Sequence, residues 1–524
     1  MANSLLFNVI KQFFAQPTQT VNQAGGVAYT LSPQQSLAQY AATGCFNGTF
    51  YADEQSQLNA VLDLAQRVEP EFVARVALYA RQNHMKDTPA LLLAVLSVVS
   101  PGLMAEIFDR VIDSPRMLRT FVQIMRSGVT GRRSLGTLPK RCIQQWLEGR
   151  SDAQILAGSV GKSPSLADIV KMVHPKPQDA TRAALYAWLI GRPYEVAQLP
   201  EVVKEYLAFS ANPEMFSGAD TPKVPLELLA GLNLSRRHWK QMARNLSWQG
   251  LRMNLNTLAR HGALEDASLV HDLSRKLMDP HELAKARVLP YQILAAYVSL
   301  SDEVPFALRH ALQAAMEQSV LAVPKTVGDV WVMVDVSGSM QSPITGHRKG
   351  ATTVMRCVDV AALIATTITR QNPRAQVLAF SDRVEPFHVN RDATVLDQAV
   401  KLAALPSGGT DCSLPLKELN RRHATGDLVI YVSDNESWID SAGKSVGNGS
   451  TGMMEEWTKF QRRNPKAKLV CLDLQPSSTT QAHERGDILN IGGFSDAVFT
   501  MISEFGSGTM HPDHWVGEIE RMNL

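Results

Sequence analysis

The sequence lacks several features that would point to common functional classes. The net charge of its 524 residues is only +2, so any affinity for nucleic acid or membrane must come from a local patch. Its five cysteines are scattered and form no CxxC pair. This usage predicts neither a zinc site nor a disulfide framework, and it favours a reducing compartment.

Long hydrophobic runs are also missing. The most apolar stretch, PALLLAVLSVVSPGL, is interrupted by Pro101 and is too short to span a bilayer. The N-terminal segment MANSLLFNVIKQFF has no long apolar core and no small-residue cleavage site, so we expect no signal peptide. Together with the cysteine usage, these absences predict a cytoplasmic protein.

Two regions of the chain differ in their hydrophobic pattern. Up to about Pro324, apolar residues recur at three- and four-residue intervals, as in FVARVALYARQ, AEIFDRVIDS, RCIQQWLEG and ATRAALYAWLIG. Many helices joined by short turns indicate a helical-repeat array, although the sequence shows no strict period. Trp146 and Trp188 fall at helix-core spacing, which favours packing over base stacking.

After Pro324, short β-rich runs alternate with helical segments such as VDVAALIATTITRQ and SLPLKELNRR. The β-rich runs are DVWVMVDV, AQVLAFS, DLVIYVSD, KLVCLDL and AVFTMI. Buried strands spaced by helices are typical of a parallel, doubly wound α/β sheet. We therefore predict a helical domain at residues 1–324 and an α/β domain at residues 325–524.

The first strand of that sheet, in VWVMVDVSGSM, ends in small oxygen-bearing side chains. Asp335, Ser337 and Ser339 form a D-x-S-x-S pattern at its carboxyl end, where ligands of doubly wound sheets bind. Carboxylate and hydroxyl oxygens suit a hard divalent cation, most plausibly Mg²⁺. Taken alone, the pattern is more often a plain strand-to-helix turn.

Two further residues make the pattern more specific. Thr410 follows two glycines in SGGTDCS, and Asp434 ends another apolar strand in VIYVSDNES. With the D-x-S-x-S pattern, they resemble the metal-ion-dependent adhesion site (MIDAS) of von Willebrand factor A (vWA) domains. The resemblance implies that Ser337, Ser339 and Thr410 ligate the ion directly.

In such a site Asp335 and Asp434 often act through water, which leaves the ion electrophilic and one position open for a partner's carboxylate. Nothing in the sequence beside the site offers a general base near a nucleophile, so we do not expect hydrolysis. The alternative is a vestigial site that binds no metal.

A basic segment in the helical region contains no Asp or Glu at all. Its seven cationic residues are Arg116, Arg119, Arg126, Arg132, Arg133, Lys140 and Arg141. A second set follows one or two helices later and consists of Lys162, Lys171, His174 and Lys176. If helix pairs stack, the two sets share a face suited to phosphate backbones.

The alternative for any one of these side chains is a solvated helix surface. His174 precedes Pro175, so we expect it at a helix end in an extended conformation, where a lone histidine is usually packed or capping.

Stretches along nearly the whole chain resemble the Ro autoantigen family, whose helical region is called the TROVE module. They are NQAGGVAYTLSPQQSLAQYAATGCFNGTFY, GRRSLGTLPKRCIQQW, ADIVKMVHPKP, VPLELLAGL and NIGGFSDAVFTMISEF. The resemblance implies a monomeric ring of HEAT-like helix pairs closed by the vWA domain. It further implies that small structured Y RNAs bind the outer surface, around the histidine of KMVHPKP, and that single-stranded ends of misfolded RNAs enter the central hole.

The sequence thus favours a non-catalytic, bacterial-type Ro protein that binds Y-like RNA and misfolded RNA 3′ ends. The resemblance implies a scaffold in RNA quality control, processing or decay, working with an exoribonuclease such as polynucleotide phosphorylase. A second hypothesis is a metal-dependent protein-binding adaptor of the vWA type without RNA function. A nuclease is a distant third.

Overall fold

The computed structural model of the chain describes residues 18–286, 288, 290–347, 355–447, 450–495, 497–510 and 513–524. After a short hairpin of β1 (Gln19–Val21) and β2 (Val27–Thr30), the chain up to Leu321 consists of helices joined by short turns. In chain order, the helices α1 to α18 are Pro33–Thr43, Glu54–Arg67, Pro70–Gln82, Asp87–Val99, Pro101–Val111, Pro115–Ser127, Thr137–Glu148, Asp152–Gly158, Leu166–Val173, Ala180–Ile190, Glu201–Ala211, Leu226–Leu229, Arg236–Asn245, Trp248–Arg260, Ala267–Met278, Pro280–Ala286, Pro290–Val298 and Phe306–Leu321.

Local signals explain where these helices begin and end. The hydroxyl of Ser114 accepts a hydrogen bond from the Met117 amide and caps α6, which stops at Gly128 in the left-handed conformation. Ser165 caps α9 in the same way. Both helices bury one apolar face and leave their basic side chains on the other. The predicted helices FVARVALYARQ, AEIFDRVIDS, RCIQQWLEG and ATRAALYAWLIG are all confirmed.

In the described residues of the second region, the chain forms seven strands and six helices. Its strands are β3 (Val330–Asp335), β4 (Gln376–Phe380), β5 (Val384–Pro386), β6 (Leu428–Ser433), β7 (Lys468–Asp473), β8 (Thr479–Thr480) and β9 (Ile488–Gly492). Its helices are α19 (Cys357–Gln371), α20 (Val395–Ala403), α21 (Leu414–Arg421), α22 (Gly452–Arg463), α23 (Ala497–Ser507) and α24 (His514–Glu520).

Six of these strands form one sheet in the order β5-β4-β3-β6-β7-β9. All neighbours in it run parallel except the edge strand β5, which is antiparallel to β4. The two central strands, β3 and β6, are buried along their whole length, as a sheet covered by helices on both faces requires. The predicted doubly wound α/β fold is confirmed, with one antiparallel edge added.

One predicted strand is in fact part of a helix, and one hairpin was not predicted. The run AVFTMI belongs to helix α23, where Val498, Phe499, Met501, Ile502 and Phe505 bury one helical face. The sixth strand of the sheet is instead β9, in a less apolar segment. The β1–β2 hairpin was also missed, because its strands are short and their partner, β8, lies far away in the sequence.

The helical region contacts the sheet region at both of its ends. At its beginning, β2 pairs with β8, and α1 packs against β9 and α24. At its end, α17 and α18 pack against α19, and α18 also contacts α20. The array of helices therefore starts and finishes on the same α/β region, which is the connectivity that a closed ring requires. The predicted boundary between residues 324 and 325 lies between α18 and β3 and stays a prediction.

The stretch PALLLAVLSVVSPGL forms α4 and the start of α5, and most of its residues lie in the core. Among the residues that the structure describes, no helix is long and apolar enough to cross a membrane. Trp146 is buried and donates its indole N–H to the Ile112 carbonyl, while Trp188 is half-buried against the same core, which confirms their packing roles.

Candidate cation site and nucleic-acid interface

The D-x-S-x-S turn leaves β3 at the carboxyl edge of the sheet and is closed by hydrogen bonds to its own aspartate. Asp335 Oδ1 accepts from the Ser337 amide at 2.8 Å, and Oδ2 accepts from Ser433 Oγ at 2.7 Å. The hydroxyls of Ser337 and Ser339 are 3.3 Å apart. Because Ser433 is the last residue of β6, the neighbouring strand orients the carboxylate.

The other two predicted residues lie beside this turn. Asp434 follows β6 directly, and its carboxylate hydrogen-bonds to the Ser339 side chain. The loop that carries Thr410 is held against the turn by the Gly338 amide, which donates to the Gly408 carbonyl at 2.9 Å. The structure thus brings all five predicted residues to one edge of the sheet, and all five are buried.

The electrostatics of this group fit a divalent cation. Burial, and then the charge of Asp434, raise the pKa of Asp335 to about 7. Burial likewise raises the pKa of Asp434. In the described part of the chain, no basic side chain is among the groups that shift either pKa. A cation bound by these oxygens would offset both negative charges, so the residues present suit the Mg²⁺ that the vWA resemblance implies.

Segments from the start of the helical region surround this edge, which the sequence did not indicate. The Ala24 amide donates to Glu436 Oε2 at 3.1 Å, and Asn22 Nδ2 donates to the Ser437 carbonyl at 2.7 Å. Burial, and then the charge of Asp434, raise the pKa of Tyr51, so this side chain also lies near the site. No local motif marks these contacts, because the partners are about four hundred residues apart.

The predicted basic residues lie on α6, α7 and α9, of which α9 packs against both others, and on the loops next to these helices. The exposed members are Arg116, Arg126, Arg133, Lys140, Arg141, Lys162, Lys171, His174 and Lys176, while Arg119 and Arg132 are half-buried. Among the described residues, none of the eleven forms an ion pair with a carboxylate, although pairs such as Arg81–Asp113 and Arg182–Asp152 form nearby.

The two half-buried arginines have structural partners. Arg119 donates to the carbonyls of Gly158 and Val160 at 3.2 and 2.8 Å, and Arg132 donates to the Ser97 carbonyl at 3.0 Å. Both side chains therefore hold loops in place. Fewer of their N–H groups are free to contact a ligand than the sequence analysis assumed.

Two contacts join the first and second basic sets. Arg126 and Lys171 line one surface depression of about 670 Å³, together with Asp168. Hydrogen bonds from Ser165, and then the charges of Lys171 and Arg126, lower the pKa of this single carboxyl group. On the neighbouring helix, Gln144 lies one turn after Lys140 and donates to the Val173 carbonyl at 2.6 Å, which places Lys140 next to the end of α9.

His174 ends α9 as predicted, but not in an extended conformation. Its φ is +51° and its ψ is +62°, because its amide closes the helix by donating to the Val170 carbonyl. The side chain is exposed.

Sequence reasoning missed further basic residues. Lys86 reaches the surface and extends the first set, because partial burial of its ammonium group, and then the charge of Arg116, lower its pKa. A second acid-free segment runs from 228 to 264, where Arg244 and Arg260 are exposed. The same signal, a long stretch without carboxylates, would have found it.

These features define a class of chain that combines a mostly helical region with a doubly wound α/β domain of the vWA type, whose sheet edge brings the five predicted cation-site residues together. Residues 330–506 match the family model described as the Ro60 vWA domain. The chain is 25% identical over 527 residues to the RNA-binding protein RO60 of Deinococcus radiodurans. The aligned region covers 94% of this chain and 96% of that protein.

It is also 24% identical over 268 residues to the RNA-binding protein RO60 of Caenorhabditis elegans. The aligned region covers 49% of this chain and 39% of that protein. Its fold matches the crystal structure of the Deinococcus radiodurans RO (RSR) protein with a TM-score of 0.61, at 20% identity, over 91% of this chain and all of that one. The resemblance to Ro proteins is confirmed.

Proposed function

We propose that this chain is a non-catalytic RNA-binding scaffold whose basic surface on α6, α7 and α9 binds phosphate backbones. The observation that carries the proposal is that nine exposed basic side chains gather on α6, α7, α9 and the adjoining loops without an ion-pair partner among the described residues. Cations left unpaired in this way suit a polyanion, because binding releases the counterions of the nucleic acid. The names of the relatives, which are RNA-binding proteins, support the same reading.

The RNA class that the Ro resemblance suggests is a small structured, Y-like RNA, together with misfolded RNA that has a single-stranded 3′ end. In this role the chain acts in the cytoplasm as a monomeric ring, in RNA quality control, processing or decay with an exoribonuclease. The unpaired lysines and arginines contact phosphates rather than base edges, so they set affinity and not sequence preference.

Filter binding of a structured RNA with an unpaired 3′ end, across a salt series, tests this proposal. Changing Arg126, Lys140 and Lys171 together to Glu should weaken binding strongly. The slope of log affinity against log salt concentration should also decrease, by an amount that corresponds to about three lost phosphate contacts. A matched variant with Lys401, Arg462 and Lys466 changed to Glu carries the same charge difference on exposed positions of the vWA domain. Equal binding by both variants would show that the basic surface is not the RNA site.

We further propose that the cation site docks a protein partner and performs no hydrolysis. Ser337, Ser339 and Thr410 would hold Mg²⁺ directly, with Asp335 and Asp434 in support. The ion, when bound, supplies an electrophilic position for an oxygen of a carboxylate. Isothermal titration with Mg²⁺ or Mn²⁺ should show one site that Asp335→Ala removes, while RNA binding by that variant is unchanged.

The adaptor alternative differs from the scaffold proposal in one outcome. If the chain is a vWA adaptor without RNA function, the triple Glu variant and the unchanged chain bind RNA equally weakly while the cation site remains intact. Degradation of RNA by the purified chain, abolished by Asp335→Ala, would instead support a nuclease.

A further inference from the structure

One hydroxyl group of the cation site is contacted from the helical region. The Tyr51 hydroxyl hydrogen-bonds to the side chain of Ser339, which is one of the proposed cation ligands. The carboxylate of Asp434 hydrogen-bonds to the same serine side chain. A serine hydroxyl has one proton to donate and two lone pairs that accept. Because the Asp434 carboxylate accepts that proton, the Tyr51 hydroxyl is the donor to Ser339.

These two contacts leave one lone pair of Ser339 Oγ. Its remaining neighbour is Ser337 Oγ, another proposed ligand, at 3.3 Å. This separation is longer than the roughly 2.5–3.0 Å of an ordinary bond between two hydroxyl groups. Tyr51 and Asp434 therefore orient the Ser339 hydroxyl and leave its free lone pair for an ion that both serines would share.

Tyr51 reaches the site on a loop that lies along the chain leaving the cation site. This loop joins α1 to α2, and the side-chain amide of Asn47 donates to the Thr345 carbonyl at 2.7 Å. The Gly48 carbonyl accepts a hydrogen bond from the His347 amide at 2.6 Å. The loop is thus held on the α/β region by contacts that do not involve the Tyr51 hydroxyl.

Two further features keep the loop in this place. Gly346 has a φ of +72°, and a side chain there would begin 2.9 Å from both Asn47 Cβ and the Gly48 carbonyl oxygen. Glycine at this position therefore permits the close approach of the two segments. From the other side, Gln57 of α2 donates to the Asn47 carbonyl at 2.7 Å, which ties the loop to the helical region.

We propose that Tyr51 is a further residue of the cation site, supplied by the helical region, and that cation binding therefore stabilises the contact between the two regions. Tyr51 is a positioning residue, because it acts through Ser339. Such coupling is reciprocal: if the hydroxyl strengthens binding of the ion, the ion strengthens the contact by the same factor. This inference rests on the proposed cation site and extends its role from docking a partner to holding one chain closed.

The test combines isothermal titration with Mg²⁺ and hydrogen exchange of the whole chain with and without Mg²⁺. In the unchanged chain, Mg²⁺ should slow the exchange of residues 45–52 and of the turn at 336–340. Tyr51→Phe keeps the ring and removes only the hydroxyl. It should weaken Mg²⁺ binding about tenfold, which is the scale of one hydrogen bond. Saturating Mg²⁺ should then protect the turn but no longer the loop.

Tyr297→Phe is the matched control, because Tyr297 is also half-buried and its hydroxyl accepts from Gln313 Nε2 at 3.1 Å, between α17 and α18. It should change neither the affinity for Mg²⁺ nor the protection of the loop. A tyrosine with a merely structural role would raise exchange equally with and without Mg²⁺. The difference that Mg²⁺ makes is therefore the measurement that reports on coupling.

The outcomes separate this inference from the cation site itself. Unchanged affinity in Tyr51→Phe, or loop protection that persists in it, overturns the role of Tyr51 while the cation site stands. Tighter Mg²⁺ binding by Tyr51→Phe shows that the hydroxyl obstructs the ion, which also overturns that role. If the unchanged chain binds no Mg²⁺, or if Asp335→Ala binds it equally well, both the inference and the proposed cation site are wrong.

Discussion

At the scale of single residues, sequence and structure agree best where a side chain acts within a short motif. The turn from Asp335 to Ser339 could be predicted from the sequence because its oxygen-bearing residues lie two positions apart after an apolar strand. The position of Trp438 beside Thr410 could not be predicted from the sequence, because it depends on how the two loops fold together. Arg119 and Arg132 were predicted to bind RNA, but their guanidinium groups donate hydrogen bonds to backbone carbonyls of the protein. The sequence of a basic segment does not distinguish these two roles.

This difference between arginines gives a prediction for two neighbours on α6. Arg119→Ala should lower the free energy of unfolding by about 1–3 kcal/mol, because two carbonyls of the loop after α8 lose a charged donor. Arg116→Ala should leave thermal stability unchanged and weaken RNA binding, because Arg116 is exposed. Thermal denaturation and filter binding of both variants measure the two effects, and equal loss of stability would contradict this division of roles.

Glu484 gives a prediction about pH. Burial raises its pKa to about 8, while the Asn490 amide and side chain both donate to Oε2. Between its ordinary pKa of 4.5 and about 8, the folded chain holds a proton that the unfolded chain has lost, so its contribution to stability falls as the pH rises through that window.

Glu484→Gln keeps the shape and removes the titration. We expect the thermal midpoint of this variant, relative to the unchanged chain, to rise by several degrees between pH 5 and pH 8. The control is Glu54→Gln, which changes an exposed residue. A pH-independent difference would mean that Glu484 stays charged in the folded chain.

At the scale of elements, periodicity predicted the six helices that it named and the four inner strands of the sheet, because burial on one or both faces leaves a clear pattern. It failed where an element is short or depends on a distant partner, as for the β1–β2 hairpin. The run Ala497–Ile502 was ambiguous for a different reason: a short apolar run fits a buried strand or a helix face equally well.

The hairpin contact supplies a prediction about Gly26. A side chain at this position would begin 2.1 Å from the Ser437 carbonyl oxygen and 2.8 Å from Trp438 Cα, both of which are backbone atoms. Gly26→Ala should therefore push the hairpin off the edge of the sheet, lower the thermal midpoint and reduce the stabilisation gained from Mg²⁺.

Gly102→Ala is the control, because a side chain at that helical glycine meets no atom within 4 Å. Differential scanning fluorimetry with and without Mg²⁺ measures both variants. If Gly26→Ala keeps the full gain from Mg²⁺, the hairpin does not support the cation site.

At the scale of the whole molecule, the sequence predicted two kinds of architecture, and the Ro resemblance implied that the vWA domain closes the helical ring, but neither identified the residues that make this contact. The helix α24 shows why: it belongs to the last part of the chain, yet it packs on α1 and α3. Trp515 on this helix is buried edge-on against Tyr79 of α3. No local sequence pattern predicts a contact between residues that lie so far apart in the chain.

Trp515→Ala should therefore loosen the junction of the two regions. We expect a loss of about 3–5 kcal/mol, typical of a tryptophan removed from a core, and earlier proteolytic cleavage around α24. Trp438→Ala, at an exposed position, serves as the control and should change stability little. Unchanged proteolysis of the Trp515 variant would show that other contacts are sufficient to hold α24 against α1 and α3.

Many of the contacts that join the start of the chain to the α/β region connect residues more than four hundred positions apart, such as Asn22 with Ser437 and Ala24 with Glu436. Bringing such distant segments together carries a large entropic cost that local helix formation does not. The stacked helices and the sheet should each become ordered first, and their mutual closure should be the slow step of folding. We therefore expect the molecule to open first at this junction, between the first helices and the last part of the chain, before either region unfolds.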